Sequence, residues 1–244
     1  VQQEMGRELS GVELQSYAAQ GLGYKLLSKS AYEVMALAIS PSGDSVAVAS
    51  EGNDIELWDP RHGELIHRLR GHNATVNALS FSPDGLTLAS ASVDSTARIW
   101  EVSTGKELFL LSEHSENIPM IRFSPNGKRL ATASWDNTVG IWDTATGARL
   151  HRLAGHQGWV NDVSFSPDSA LLASASADGS LRIWSNETGE NLHKLTGHQG
   201  AVNAVRFAPD QQTLASTSED QSARIWSLDG QELHRLTGHD AELY

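Results

Sequence analysis

The sequence predicts an all-β fold made of five copies of one four-stranded antiparallel unit, and three observations carry that expectation. Tryptophans recur at Trp58, Trp100, Trp142, Trp184 and Trp226, each 42 residues after the last. Histidines preceded by Gly or Glu recur at His72, His114, His156, His198 and His239, spaced 42, 42, 42 and 41. Between these marks the same alternation and turn residues return. His72–Trp100 and His156–Trp184 share 17 identities in 29 positions without a gap. Copies this similar must share one structure, so the repeat is read before anything else.

The second unit shows each element in order. Val76-Asn77-Ala78-Leu79-Ser80-Phe81 alternates like a half-buried strand. Ser82-Pro83-Asp84-Gly85 follows, where Pro sets φ and Asp or Gly tolerates the angles of a tight turn. Thr87-Leu88-Ala89-Ser90-Ala91-Ser92 is the second strand, and the two make a hairpin. Asp94-Ser95 turns the chain into Ala97-Arg98-Ile99-Trp100, and Ser103-Thr104-Gly105 turns it again into Glu107-Leu108-Phe109-Leu110-Leu111. Nothing in the unit has helical character. A lone four-stranded sheet has no layer to bury its faces against, so each sheet must pack on its neighbours. Radial stacking into a propeller achieves that and shortens the exposed edges.

At these residues the chain resembles the WD40-repeat family, whose units run about 40–45 residues with Gly-His near one end and Trp-Asp near the other. The motifs cover roughly residues 30 to 239. Gly71-His72, Asp94 and Trp100 stand at the family positions, as do His114, Asp136 and Trp142, then His156, Asp178 and Trp184, then His198, Asp220 and Trp226. Only Trp58-Asp59 and Trp142-Asp143 keep the Asp after Trp; Glu101, Ser185 and Ser227 replace it elsewhere. The first unit departs further, with Ser30 for the His and Gly52 for the turn Asp, and weaker internal hydrogen bonding is expected there. The resemblance implies a WD40-type β-propeller with five full repeats and a partial repeat at each end. It also implies that in each blade the His, a strand Ser, the turn Asp and the Trp indole form a buried hydrogen-bonded network. Ser90 and Ser92 share a strand face, so either could be the partner.

Residues 1–20 read as a linker or N-terminal extension with weak helical periodicity, and 21–244 as the propeller region. The blades fall at about 30–70, 71–112, 113–154, 155–196 and 197–237. Gly21–Ser28 aligns with Gly105–Ser112 as an orphan fourth strand, and Gly238–Tyr244 opens a sixth unit. A fragment of a longer propeller, a five- or six-bladed ring and two mutually completing copies all fit these ends. An incomplete ring would self-associate through its bare blade face.

Composition excludes several classes of function. Of 244 residues, 18 are Lys or Arg and 30 Asp or Glu, a net charge of −12. That argues against a phosphate backbone as partner and leans toward basic or neutral ones. No run approaches 18 apolar residues and no signal-peptide pattern is present, which predicts no membrane association. Zero cysteines exclude thiolate chemistry and suit a cytoplasmic location. The ten histidines lack a metal-ligand spacing, since nine belong to repeated series, and no metal or other cofactor is expected. The repeated Ser, His and Asp suggest a hydrolase triad, yet an enzyme needs one site and this set occurs four times. No phosphate loop, zinc motif or nucleophile elbow appears, so no enzyme is expected.

Residues that break the period are the better place to seek function. Trp135 stands where other units have Val93, Ala177 and Glu219, and Trp159 where they have Thr75, Asn117 and Ala201. In the resembled family both positions open on one rim of adjacent blades. Two aromatics there are expected to anchor a protein or peptide partner, with Asn117, Gln157 and Ser115 at the edge of the patch. The alternative is that each packs under a loop. The function expected is a non-catalytic interaction scaffold, and its competitor is a regulatory or sensor portion of a larger signalling protein, such as a kinase or nucleotide-dependent switch.

Overall fold

The computed structural model describes residues 33–50, 52–238, 241 and 243, together with the backbone of 15–17 and 24–26. Strand β1 (Gln15–Tyr17) pairs antiparallel with β2 (Tyr24–Leu26). The orphan strand expected near residue 24 therefore forms, but beside β1. Extended β1 stands within the stretch where the sequence suggested weak helical periodicity.

Five four-stranded antiparallel sheets follow in chain order. The first holds β3 (Val34–Ile39), β4 (Val46–Ser50), β5 (Ile55–Asp59) and β6 (Glu64–Leu69). The second holds β7 (Val76–Phe81), β8 (Thr87–Ser92), β9 (Ala97–Glu101) and β10 (Glu107–Leu111). The third holds β11 (Met120–Phe123), β12 (Arg129–Ala133), β13 (Thr138–Asp143) and β14 (Arg149–Ala154). The fourth holds β15 (Val160–Phe165), β16 (Leu171–Ser176), β17 (Ser180–Ser185) and β18 (Asn191–Thr196). The fifth holds β19 (Val202–Phe207), β20 (Thr213–Ser218), β21 (Ala223–Ser227) and β22 (Glu232–Leu236). Each sheet is one blade of a β-propeller, with consecutive blades packed through their first strands.

The turns form for the reasons their residues suggest. Between β7 and β8, Ser82 Oγ donates to Asp84 Oδ1 (2.6 Å) and accepts the Thr87 N–H (3.0 Å). Gly85 closes the turn at φ +74°, a left-handed conformation that costs glycine little.

Every joint between blades has the same two-sided chemistry. At the first, Ala47, Ala49, Ile55, Leu57 and Leu69 of one blade receive Val76, Leu79, Phe81, Leu88 and Trp100 of the next. At the third, Ala131, Ala133, Val139, Ile141 and Leu153 receive Val160, Val163, Phe165, Leu172 and Trp184. A face of alanines and branched aliphatic residues thus accepts a face that carries Phe and the periodic Trp. A bulge in the β7 pairing between Val76 and Ala78 makes this possible. The extra residue shifts the alternation, so Val76 shares a face with Leu79 and Phe81.

Among the described residues the two outermost blade faces lack such a cover. On the first blade Leu37 and Ile39 are exposed, where their counterparts Leu79 and Phe81 are buried, and Met35 beside them is exposed too. On the last blade Leu236 is exposed, whereas its counterpart Leu195 is fully buried. Leu243 nevertheless docks on the last blade. Its N–H donates to Ser218 O (3.3 Å) and its carbonyl accepts Asn203 Nδ2 (2.8 Å). Val160 and Val202 receive the equivalent bonds from the blades before them, Val160 through its N–H to Ser134 O and Val202 through its carbonyl from Asn161.

Candidate functional site

Four blades carry the buried network in full. In the second blade Trp100 Nε1 donates to Ser90 Oγ (2.9 Å), Ser90 Oγ lies 2.8 Å from His72 Nε2, and His72 Nδ1 lies 2.9 Å from Asp94 Oδ2. One proton arrangement satisfies the whole chain. The indole can only donate and the carboxylate can only accept, so Ser90 donates to Nε2 and the neutral ring donates from Nδ1. Asp94 also accepts the N–H of Asn73 (2.9 Å) and the hydroxyl of Thr96 (2.6 Å). Burial would raise its carboxyl, but the bonds from Thr96, Asn73 and His72 outweigh burial and hold it at about 2. Burial lowers the His72 imidazole despite Asp94, which keeps the ring neutral.

Of the two candidate serines, Ser90 is the partner. Ser92 turns to the loop instead, where Oγ donates to Ala74 O (3.0 Å) and accepts the Asp94 N–H (3.1 Å). The fourth and fifth blades repeat this with Ser174 and Ser216. In the third blade the hydroxyl comes from Thr132, which takes Trp142 Nε1 at 2.9 Å and His114 Nε2 at 2.8 Å. A Cβ on Gly140 would lie 2.7 Å from both Thr132 Oγ1 and Trp142 Nε1, so glycine here leaves the space they occupy.

Hydrolase-like connectivity is therefore present in every one of these blades, but Ser90 is fully buried and its oxygen already holds the indole N–H. The fourfold arrangement ties loop to strand. In the first blade Val48 stands at the Ser position, and Trp58 Nε1 donates instead to Glu56 Oε2 (3.2 Å). Ser30, read as replacing the His there, and His239 lie outside the described residues.

Trp135 and Trp159 come together. Their rings stack with centroids 4.5 Å apart and planes 13° from parallel. Trp135 leads out of β12 and is half-buried; Trp159 precedes β15 in the next blade and is 52% exposed. The backbone sets both: Trp135 N–H donates to Asn117 O (2.9 Å) and Trp159 O accepts the Ala177 N–H (2.8 Å). The four networked tryptophans have satisfied indoles, whereas Trp135 Nε1 is buried with no acceptor among the described residues. Around the pair, Ser115 and Gln157 are exposed, while Asn117 is half-buried and accepts Asn77 Nδ2 at 2.6 Å. Ser115 and Gln157 donate their backbone N–H to Asp136 and Asp178, which anchors the rim loops to the networks beneath.

Several contacts were not foreseen from the sequence. His67 Nε2 bonds Ser103 O (3.0 Å) and His151 Nε2 bonds Glu187 O (2.9 Å), so the fourth-strand histidines clip one blade to a turn of the next. Their recurrence was visible; their partners, 36 residues away, were not. Arg98, Arg182 and Arg224 lie about 6 Å over Trp100, Trp184 and Trp226. Among the described residues no three His, Asp or Glu side chains gather as a metal set.

No curated protein matches the chain. The family described as WD domain, G-beta repeat matches it five times, at residues 24–59, 63–101, 105–143, 147–185 and 189–227. The last four matches each begin near the fourth strand of one blade and end with the third strand of the next, so these sequence units tie two blades together; the first begins at β2 and ends with the third strand of the first blade. Proteins of this kind are generally non-catalytic interaction scaffolds. With five consecutive matches spanning most of its length and five four-stranded blades to correspond, the chain belongs to the WD40 family.

Proposed function

We propose that this protein is a non-catalytic scaffold that holds a protein or peptide on the rim at the stacked Trp135–Trp159 pair. The observation that carries the reading is the pair itself, which spans two adjacent blades at positions the repeat does not require, with Trp159 half open to solvent. The four networked tryptophans of the repeat donate to a hydroxyl, whereas Trp135 Nε1 meets no acceptor among the described residues and takes no part in such a network. Stacked aromatics already ordered by one another also lose little freedom when a ligand covers them. Ser115 and Gln157 supply the polar edge.

The test uses a partner recovered by pull-down and confirmed by direct titration. Trp159→Ala and Trp135→Ala should each weaken its affinity at least tenfold, about 1.4 kcal/mol, with the unfolding midpoint of Trp159→Ala unchanged. Affinities within twofold of the parent for both variants would overturn the reading.

A further inference from the structure

The third blade breaks the period once more beside the tryptophan pair, this time in charge. In the third strands of the second, fourth and fifth blades, equivalent positions carry Arg98, Arg182 and Arg224, each about 6 Å over the networked Trp of its own blade. The third blade has Gly140 there, where a side chain would meet Thr132 and Trp142. Its network therefore lacks the guanidinium that stands over the other three.

The negative charge left behind lies next to the pair. Asp136 follows Trp135 directly; its Oδ2 accepts the Ser115 N–H (3.3 Å) and lies 2.8 Å from His114 Nδ1. Burial would raise its carboxyl, but the bonds from His114 and Thr138 outweigh burial and hold it well below the usual carboxylate range. With the proton arrangement of the second blade the His114 ring is neutral and does not cancel that charge. Glu116 is exposed on the same loop and makes no ion pair among the described residues; its neighbour Asn117 accepts the Trp135 N–H at 2.9 Å. On the other side Trp159 O accepts the Ala177 N–H (2.8 Å), and the residue after Ala177 is the network carboxylate Asp178, which accepts the Gln157 N–H (2.9 Å). The rim loops of the second to fifth blades, residues 73–75, 93–95, 115–117, 135–137, 157–159, 177–179, 199–201 and 219–221, hold six carboxylates and no Lys or Arg. Nothing on these loops answers their own charge.

Resting on the rim-binding reading above, we propose that Trp159 takes an arginine side chain of the bound peptide on its open ring face, in the field of Glu116, Asp136 and Asp178. Trp135 covers one face of the Trp159 ring, and the 52% exposure of Trp159 leaves the opposite face to solvent. A guanidinium is planar, so it stacks on an indole, and it is weakly hydrated, so it gives up little water in doing so. Carboxylates around the ring add to that attraction and steer a cation toward it, while they repel an acidic side chain.

The probe is an acetylated, amidated Gly-Arg-Gly tripeptide, with Gly-citrulline-Gly, which keeps the shape and loses the charge, and Gly-Glu-Gly as comparisons. The readout is the indole Nε1–H NMR signals at constant ionic strength, that of Trp159 being assigned by its loss in Trp159→Phe. A saturable shift of the Trp159 signal is expected with Gly-Arg-Gly, roughly tenfold weaker titration with Gly-citrulline-Gly, and none with Gly-Glu-Gly. Glu116→Gln, a surface change, should weaken the Gly-Arg-Gly titration roughly twofold, and in Trp159→Ala the Trp135 signal should no longer shift. Equal titration by the citrulline peptide, no saturable shift, an affinity unchanged in Glu116→Gln, or a Trp135 shift kept in Trp159→Ala would overturn it. The rim site itself is judged on the partner recovered by pull-down. If that partner loses affinity in Trp159→Ala while Gly-Arg-Gly gives no saturable shift, the arginine assignment alone fails.

Discussion

The first blade and the three after it were built from one repeat, yet they solve the burial problem differently. Leu79 in β7 is 5% exposed because the aliphatic face of the first blade covers it; Leu37, its counterpart in β3, is 43% exposed. Trp100 is buried with its indole on Ser90, whereas Trp58 is half-buried with its indole on a Glu carboxylate. A repeat unit thus carries only half of its own core, and the neighbour supplies the rest. The same residues contribute stability inside a joint and almost none on an uncovered face.

The largest expected effect follows from that contrast. Leu79→Ala should lower unfolding stability by about 3 kcal/mol, because the joint cannot collapse around the cavity. Leu37→Ala should cost under about 0.5 kcal/mol, as a substitution at an exposed site. Denaturant unfolding of both variants decides it, and equal losses would mean that the two faces are not as different as their exposure indicates.

A second contrast concerns the network. Ser174→Ala strands the Trp184 indole and the His156 ring nitrogen together, for a loss of about 2 kcal/mol by the same measurement. The first blade offers the opposite experiment. Val48→Ser adds a buried hydroxyl where the sequence has Ser30 in place of the His and the Trp58 indole already donates to Glu56, so it should not stabilise the protein.

Acidification gives the third. The His72 and His198 rings are lowered chiefly by burial, so below the ordinary histidine value the unfolded chain takes up protons that the folded chain refuses, and stability falls. Asp94 is held at about 2, so its contribution is present above pH 4 and disappears as pH drops toward 2. That contribution is on the order of 2 kcal/mol, from about 1.4 kcal/mol for each unit of displacement. Unfolding midpoints measured from pH 7 to pH 3 should fall throughout, and Asp94→Asn should flatten the lower part of the curve. A rise in stability between pH 7 and 5 would contradict the buried neutral histidines.

The fold was legible because a 42-residue period repeats its own punctuation. Strand β8 begins at Thr87 and ends at Ser92 where alternation and turn residues put it, and β7, β9 and β10 follow the same rule. Composition and spacing also marked Trp135 and Trp159 as departures from the period. Other features were beyond such reading. That Ser90 and not Ser92 meets the histidine depends on which residue ends the strand and which enters the turn. The third blade uses Thr132, which a search for serine passes over.

Everything local and recurrent is written in the order of residues: the strands, the turns, the number of complete units and the polar set within each. Tertiary structure alone decided what meets across a joint. The ring-on-ring stacking of Trp135 and Trp159, the clip from His67 to Ser103, and the ion pair of Arg206 with Asp162 each join residues from different blades. Periodicity assigns each such residue its place within its own unit. Only the packing of one sheet on the next sets the distance between them, because that distance is fixed by the side chains that fill the joint.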